Sequence, residues 1–346
     1  MLIPHAIAVA QADGETDGSK VDRAIDKGLG YLVDIQLESG VIADRQYDTT
    51  MSSLSVIAFA AAGHLPADNN EFGDASGRAL QYVLRSDRAD PTGYYGKQDG
   101  SKMYGHGITT LMLTEMLGMG KNALQNELIH ARCSSAIKVI LSAQNRSKAL
   151  QYDGGWRYTP ASLDSDLSVS VWCLLALRSA KNAGMDVPDS AIARAIAYLK
   201  RSYTSPLSSS GKPMRRVAGF SYLPNNSNPT FAMTAAGLLA MQVCGQYDSP
   251  LVLGSSQYLL EHPPKWKDRY FYYGMYYYAQ GMHQRGGEYA ETAEKNCQRL
   301  LLEHQEASGA WASPGGEELS AGRVYATCMA ILSLSVKYHY LPIYQR

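Results

Sequence analysis

The chain has 346 residues, of which 45% are hydrophobic and 18% charged. Its 32 basic and 32 acidic residues cancel. Such a composition supports a substantial buried core, and the balanced charge lacks the basic excess of a general nucleic-acid surface. Tyr is abundant at 24 residues and Phe scarce at 5. Tyr joins an apolar ring to a polar tip, which suits a greasy cavity with hydrogen-bonding groups and equally a wide helix–helix interface.

Residues 2–12 are apolar, and Ala10-Gln11-Ala12 before Asp13-Gly14 resembles a signal-peptidase site. No basic stretch precedes the run, and the run is short. Residues 1–19 therefore read as a leader, either the remnant of a signal peptide or an ordinary extension of a cytoplasmic protein. The cleavage-like site favours export. Residues 20–346 read as one domain. No later stretch has the uninterrupted apolar length of a membrane span.

From there the chain repeats a unit: an outer amphipathic helix, a Gly-containing turn, a loop and an apolar inner helix. Repeat one predicts an outer helix over 20–36, with Ile25, Leu29, Leu32 and Val33 as its stripe. Its inner helix is predicted over 49–62. Repeat two predicts helices over 75–85 and 106–117, around Gly93-Tyr94-Tyr95-Gly96. Repeat three has an outer helix over 127–144 and the turn Asp153-Gly154-Gly155-Trp156. Asp164-Ser165-Asp166 then introduces an apolar run from Leu167 to Leu177. Asp at a helix start offers a capping oxygen and a charge that suits the helix dipole.

Repeat four starts at Ser190 and has a long loop, 205–229, carrying Arg215 and Arg216. Gly219-Phe220 stands where Gly-Trp stood, and an inner helix is predicted over 230–243. Repeat five predicts helices over 251–260 and 272–282. Repeat six predicts helices over 289–304 and 324–336, around Gly309-Ala310-Trp311. Inner helices this apolar need neighbours on both sides. Closing six hairpins into a ring supplies them and removes the ends that a linear array would expose. The predicted fold is all-α, a single (α/α)6 toroid with a central cavity. Cys133, Cys173, Cys244, Cys297 and Cys328 are dispersed without zinc-like spacing and read as buried free thiols. His283, His304 and His339 also lack metal-like spacing.

The pattern Gln-x-x-x-Gly-x-Trp is complete from Gln305 to Trp311. Ile42 replaces the Trp in Gln36 to Ile42, and a stretched form runs from Gln144 to Trp156. This resembles the repeat of squalene and oxidosqualene cyclases. Over residues 20–340 the chain resembles the α/α-toroid superfamily of terpenoid cyclases, protein prenyltransferase β subunits and complement thioester domains. One fold hosts several activities, so the resemblance bears on fold more than on chemistry.

Class II cyclases carry Asp-x-Asp-Asp at an inner-helix start, and its middle Asp is the acid. Asp164-Ser165-Asp166-Leu167 matches this with Leu167 in place of the last Asp. The resemblance implies Asp166 as the acid, assisted by Asp164 and His106; the alternative reading makes both aspartates helix caps. Tyr104, Tyr152, Trp156, Tyr273, Tyr276 and Tyr325 are the expected ligand-lining residues. Prenyltransferases hold zinc with Asp, Cys and His. Tyr273, Met275 and Ala326 stand at those positions, so no metal and no cofactor is expected and zinc-dependent prenylation is disfavoured. The Cys-Gly-Glu-Gln of the thioester domains is absent. The leading expectation is an isoprenoid-like apolar ligand in the central cavity, with metal-free protonation by Asp166 if the protein is an enzyme. The alternatives are a non-catalytic module for an unknown protein partner and a carbohydrate-active α/α-barrel enzyme.

Overall fold

The computed structural model describes residues 17–338 and 340–344. Most of the predicted leader, 1–16, and His339 lie outside the described residues. Among the described residues, twelve α-helices alternate between two layers. The outer helices are α1 (Asp17–Asp34), α3 (Glu71–Val83), α5 (Ala123–Gln144), α7 (Asp189–Arg201), α9 (Pro250–Glu261) and α11 (Gly287–Glu303). The inner helices are α2 (Asp48–Ala61), α4 (Lys102–Glu115), α6 (Leu167–Asn182), α8 (Phe231–Val243), α10 (Phe271–Arg285) and α12 (Gly322–Leu334). No strand occurs among the described residues, only isolated bridges such as Trp156 to Asp166.

Each inner helix packs on the next, from α2 through α4, α6, α8 and α10 to α12, and α12 packs back on α2. The ring is closed. The reason lies in composition: from Thr49 to Ala61 every residue of α2 is buried, and from Ala232 to Val243 every residue of α8 is. Such helices bury all faces only between neighbours on both sides. Among the described residues, the one helical stretch apolar and long enough to cross a membrane by length alone, 316–338, is mostly buried and contains α12. All five cysteines are free and buried.

Three glutamines at the ends of outer helices fasten the layers. Gln144 Nε2 donates to Gly154 O and Ala191 O, both at 2.9 Å. Gln36 does the same to Gly40 O and Ala75 O, and Gln305 to Gly309 O and Ala24 O. One acceptor is in the residue's own turn and the other is in the next outer helix, so each Gln ties adjacent repeats. Gln305 reaches α1 and thereby joins repeat six to repeat one. Gly154, at φ 83, lies so close to α7 that a Cβ would meet Arg194 O at 2.2 Å, so only glycine fits.

In five of the six repeats an apolar or aromatic residue of the turn is fixed through its backbone N–H. Trp156 N donates to Ser170 Oγ, Phe220 N to Thr234 Oγ1, and Trp311 N to Thr327 Oγ1. In repeat one Ile42 N donates to Ser52 Oγ. In repeat two the acceptor is Nδ1 of His106, from Tyr95 N at 3.3 Å.

Inner-helix starts are capped in part from the neighbouring loop. Asp99 Oδ2 accepts Thr50 N of α2, Tyr158 O accepts Met103 N of α4, and Tyr222 O accepts Leu167 N of α6. Glu318 accepts from α10 and Asp44 from α12. This explains why α4 begins at Lys102, four residues before the expected His106: Lys102 takes φ 60 and the Tyr158 carbonyl satisfies the next N–H.

The axis of the ring is occupied by side chains where a hollow was expected. Trp172 of α6 lies flat on Tyr276 of α10, with centroids 5.5 Å apart and planes 7° apart. Tyr277 meets the same indole edge-on at 5.6 Å. Helices α6 and α10 are not neighbours round the ring, since α8 stands between them, so these rings fill space at its centre.

Candidate functional site

The N-terminal ends of the inner helices gather a polar cluster. It begins with Asp166, the N-cap of α6, whose backbone is extended at φ −128, ψ 157. Oδ1 accepts from Val169 N at 2.9 Å and from Ser168 Oγ at 2.6 Å. Oδ2 is buried and has no hydrogen-bond partner among the described residues. Its nearest cation is Arg157, with Nε at 3.7 Å. Burial raises the Asp166 pKa above the usual carboxylate range, against the lowering effect of Ser168, the Val169 N–H and Arg157. Asp164 sits at the rim, half exposed, and pairs with Arg157 at 3.0 Å.

A second carboxylate joins from the loop before α12. Glu318 is buried, and it accepts the N–H groups of Tyr273 at 2.9 Å and Tyr272 at 3.2 Å. Helix α10 needs this because its own N-cap, Tyr270, is left-handed at φ 59 and offers no capping side chain. Burial lifts the Glu318 pKa to about 7, although those N–H groups and the Tyr325 hydroxyl hold it down.

Tyr273 links the two acids. Its N–H reaches Glu318, and its hydroxyl donates to Ser168 O at 3.1 Å, on the residue whose side chain donates to Asp166. Tyr104 also hydrogen-bonds to the Ser168 hydroxyl. Because that hydroxyl donates to Asp166, the phenol is the donor. Tyr158 and Tyr222 share a hydrogen bond at 2.5 Å, and the Arg157 guanidinium lies over both rings at 5.1 and 5.8 Å. Burial raises the pKa of Tyr104, Tyr273 and Tyr325 well above the usual phenol value, so these hydroxyls stay protonated and act as donors. Two carboxyl groups able to hold a proton, a guanidinium and a ring of phenols can bind hydroxyl-rich groups and exchange protons with them.

Of the residues expected from the sequence, Asp166, Tyr104, Tyr273 and Tyr325 come together here, with Asp164 at the edge. His106 does not. It is fully buried, its Nδ1 accepts from Tyr95 N and its Nε2 donates to Ala136 O at 3.1 Å. Burial lowers its pKa to about 4, so the ring is neutral and both nitrogens are occupied by structure. Trp156 is buried behind the turn with its indole N–H on Ile140 O. Tyr276 lies on Trp172 within the ring, and Tyr152 is half-buried and holds Ser165 through its carbonyl.

Sequence reasoning missed Glu318, Ser168, Arg157, Tyr158 and Tyr222. Glu318 stands in Gly315-Gly316-Glu317-Glu318, which reads as a solvated loop.

No known sequence family matches the chain, and no curated protein sequence does. Solved structures do match in fold. The GH76A alpha-1,6-mannanase of Salegentibacter sp. HEL1_6 superposes with a TM-score of 0.60 at 8% identity, over 92% of this chain and 99% of that one. Cellobiose 2-epimerase from Bacillus thermoamylovorans gives 0.61 at 10% identity, over 92% and 100%. A possible member of the GH105 family from Salmonella enterica gives 0.58 at 12% identity, over 97% and 99%. At these identities the likeness shows the α/α-toroid fold alone. A type II terpene cyclase from Scytonema also aligns, with a TM-score of 0.41 that carries no argument.

Proposed function

We propose that this toroid is a carbohydrate-active enzyme whose site is the mouth cluster, with Asp166 and Glu318 exchanging protons with the substrate. The observation that carries the reading is the pair of buried carboxylates bridged by Tyr273 and Ser168 at the starts of α6 and α10. Burial raises the pKa of both acids, and that of Glu318 reaches about 7, the range of a group that holds and delivers a proton near neutral pH. Arg157, and whichever of Tyr158 and Tyr222 does not donate to the other, supply donors for sugar hydroxyls. The names of the fold neighbours, a mannanase and an epimerase of cellobiose, support the same class. The isoprenoid reading has less support, since Trp172, Tyr276 and Tyr277 occupy the centre where a long apolar chain would lie. Export, as the leader suggests, belongs to this proposal; fractionation of cells making the full chain would read it directly.

The test is incubation with a panel of mannan, glucan and cello-oligosaccharides, read by reducing ends and by sugar composition. Turnover should fall by about 100-fold or more in Asp166→Asn and in Glu318→Gln, the loss typical of a missing acid–base group. Asn is itself a good N-cap, so the first variant keeps its helix start. Conversion of no carbohydrate, or wild-type rates in both variants, would remove the proposal.

A further inference from the structure

On the outer wall, a crevice of about 200 Å³ opens between the 86–95 loop and α5. Tyr95, Arg132, Asp90, Gly93 and Ser135 line it. The mouth cluster uses none of them.

Two of these side chains have unspent hydrogen-bond donors. Tyr95 is 1% exposed, yet its hydroxyl has no partner among the described residues. A buried phenol normally finds one. Arg132 is fixed at one end, with Nε donating to Leu84 O at 3.2 Å. Its two terminal amino groups make no hydrogen bond or ion pair among the described residues, which leaves the fork of the guanidinium available. The walls are firmly set. Gly93, at φ 92, sits so close to α5 that a Cβ would come within 2.7 Å of Ser135. Tyr95 is anchored through its N–H on His106. The carboxylate on the wall, Asp90, is turned to its own loop: Oδ1 accepts from Thr92 N, Thr92 Oγ1 and Tyr94 N.

We propose that this crevice binds a small carboxylate, gripped by the Arg132 fork with the Tyr95 hydroxyl as third donor. A planar guanidinium and a carboxylate match in two parallel hydrogen bonds, stronger than neutral ones. Tyr95 stays protonated, because burial raises its pKa. The volume is many times the roughly 10–15 Å³ that one water needs, so an acid of a few carbons fits.

Titration calorimetry on the full chain tests this with three probes: lactate, its uncharged isostere lactamide, and inorganic phosphate. Lactate should bind with a Kd on the order of 1 mM or tighter, and lactamide about tenfold more weakly or not at all. Arg132→Gln should abolish lactate binding. Tyr95→Phe deletes only an unpartnered hydroxyl, so it should leave the melting temperature unchanged and weaken lactate about fivefold, the loss of one hydrogen bond. Should Arg132→Gln fail to fold, Arg132→Lys keeps the charge without the fork and should still weaken lactate. The proposal is overturned if lactate gives no heat with the wild type, as a crevice holding only water would predict. Equal binding of lactamide, preference for phosphate, or unchanged binding in the folded Arg132 variant would overturn it too.

Discussion

Asp44 accepts the backbone N–H of Arg323 at 2.7 Å, across 279 residues of chain. Its other oxygen takes Val324 N at 3.2 Å. A loop of the first repeat thus caps the inner helix of the last, and Gln305 reaching Ala24 makes another tie across the same seam. Asp44→Ala should destabilise the protein by about 1–2 kcal/mol, as loss of a cap does, and Asp44→Asn by less. Chemical denaturation of the two variants measures the difference; equal stability of Asp44→Ala and wild type would mean the ring closes without this contact.

Gln144 is buried, and each of its two donor hydrogens has a carbonyl partner. Gln144→Leu would leave Gly154 O without this partner and strip the second bond from Ala191 O, which α7 already satisfies, at a cost of about 1–3 kcal/mol. Gln36, half-buried and reached by solvent, should cost less in the same substitution. Urea melts of both variants rank them, and the reverse order would contradict this account of the turns.

His106 should behave as a scaffold residue. With its pKa lowered to about 4 by burial, it stays neutral in the native state while the unfolded chain takes a proton near 6.5. Its contribution to stability is therefore present above pH 6.5 and is lost as pH falls towards 4. Imidazole NMR should show no titration of His106 between pH 8 and 5. Its replacement by Ala should lower stability by about 2–4 kcal/mol, and a normal titration near 6.5 would place the ring in contact with water.

Glu115 gives the opposite sign. It is buried at the other end of α4 from the mouth, where the Ser179 hydroxyl and Ile343 N donate to it. Burial raises its pKa from 4.5 to about 7. Below pH 4.5 it is protonated in both states. Between 4.5 and 7 the unfolded chain ionises first, so native stability falls by up to about 3 kcal/mol as pH rises. Glu115→Gln lacks this loss. The variant should gain on the wild type as pH moves from 4.5 to 7, and a stability difference that does not change with pH would refute the shift.

Much of the fold is legible locally. The expected starts of the helices among the described residues fall within four residues of the observed ones, because apolar spacing, Gly turns and capping residues act within a few positions. Asp166 is likewise legible, as an Asp before an apolar run. The site is less so. Tyr273 and Tyr325 could be picked out through segments that resemble those of prenyltransferases, and Tyr104 only as one member of a tyrosine-rich chain. Glu318 could not be picked out at all, since what buries it is a helix start more than forty residues earlier. His106 misled for the same reason: in sequence it opens an inner helix near the mouth, and in space a turn eleven residues back has already taken its Nδ1.

The sequence by itself determined the alternation of amphipathic and wholly apolar helices, because period and composition are properties of single segments. It also favoured closure over a linear array, since inner helices with so little charge leave no stable open end. Only the tertiary structure decided what the closed ring contains. Trp172 meets Tyr276 across the ring, and Glu318 meets the start of α10, through contacts between segments far apart in the chain, where the packing of many side chains at once selects the partner.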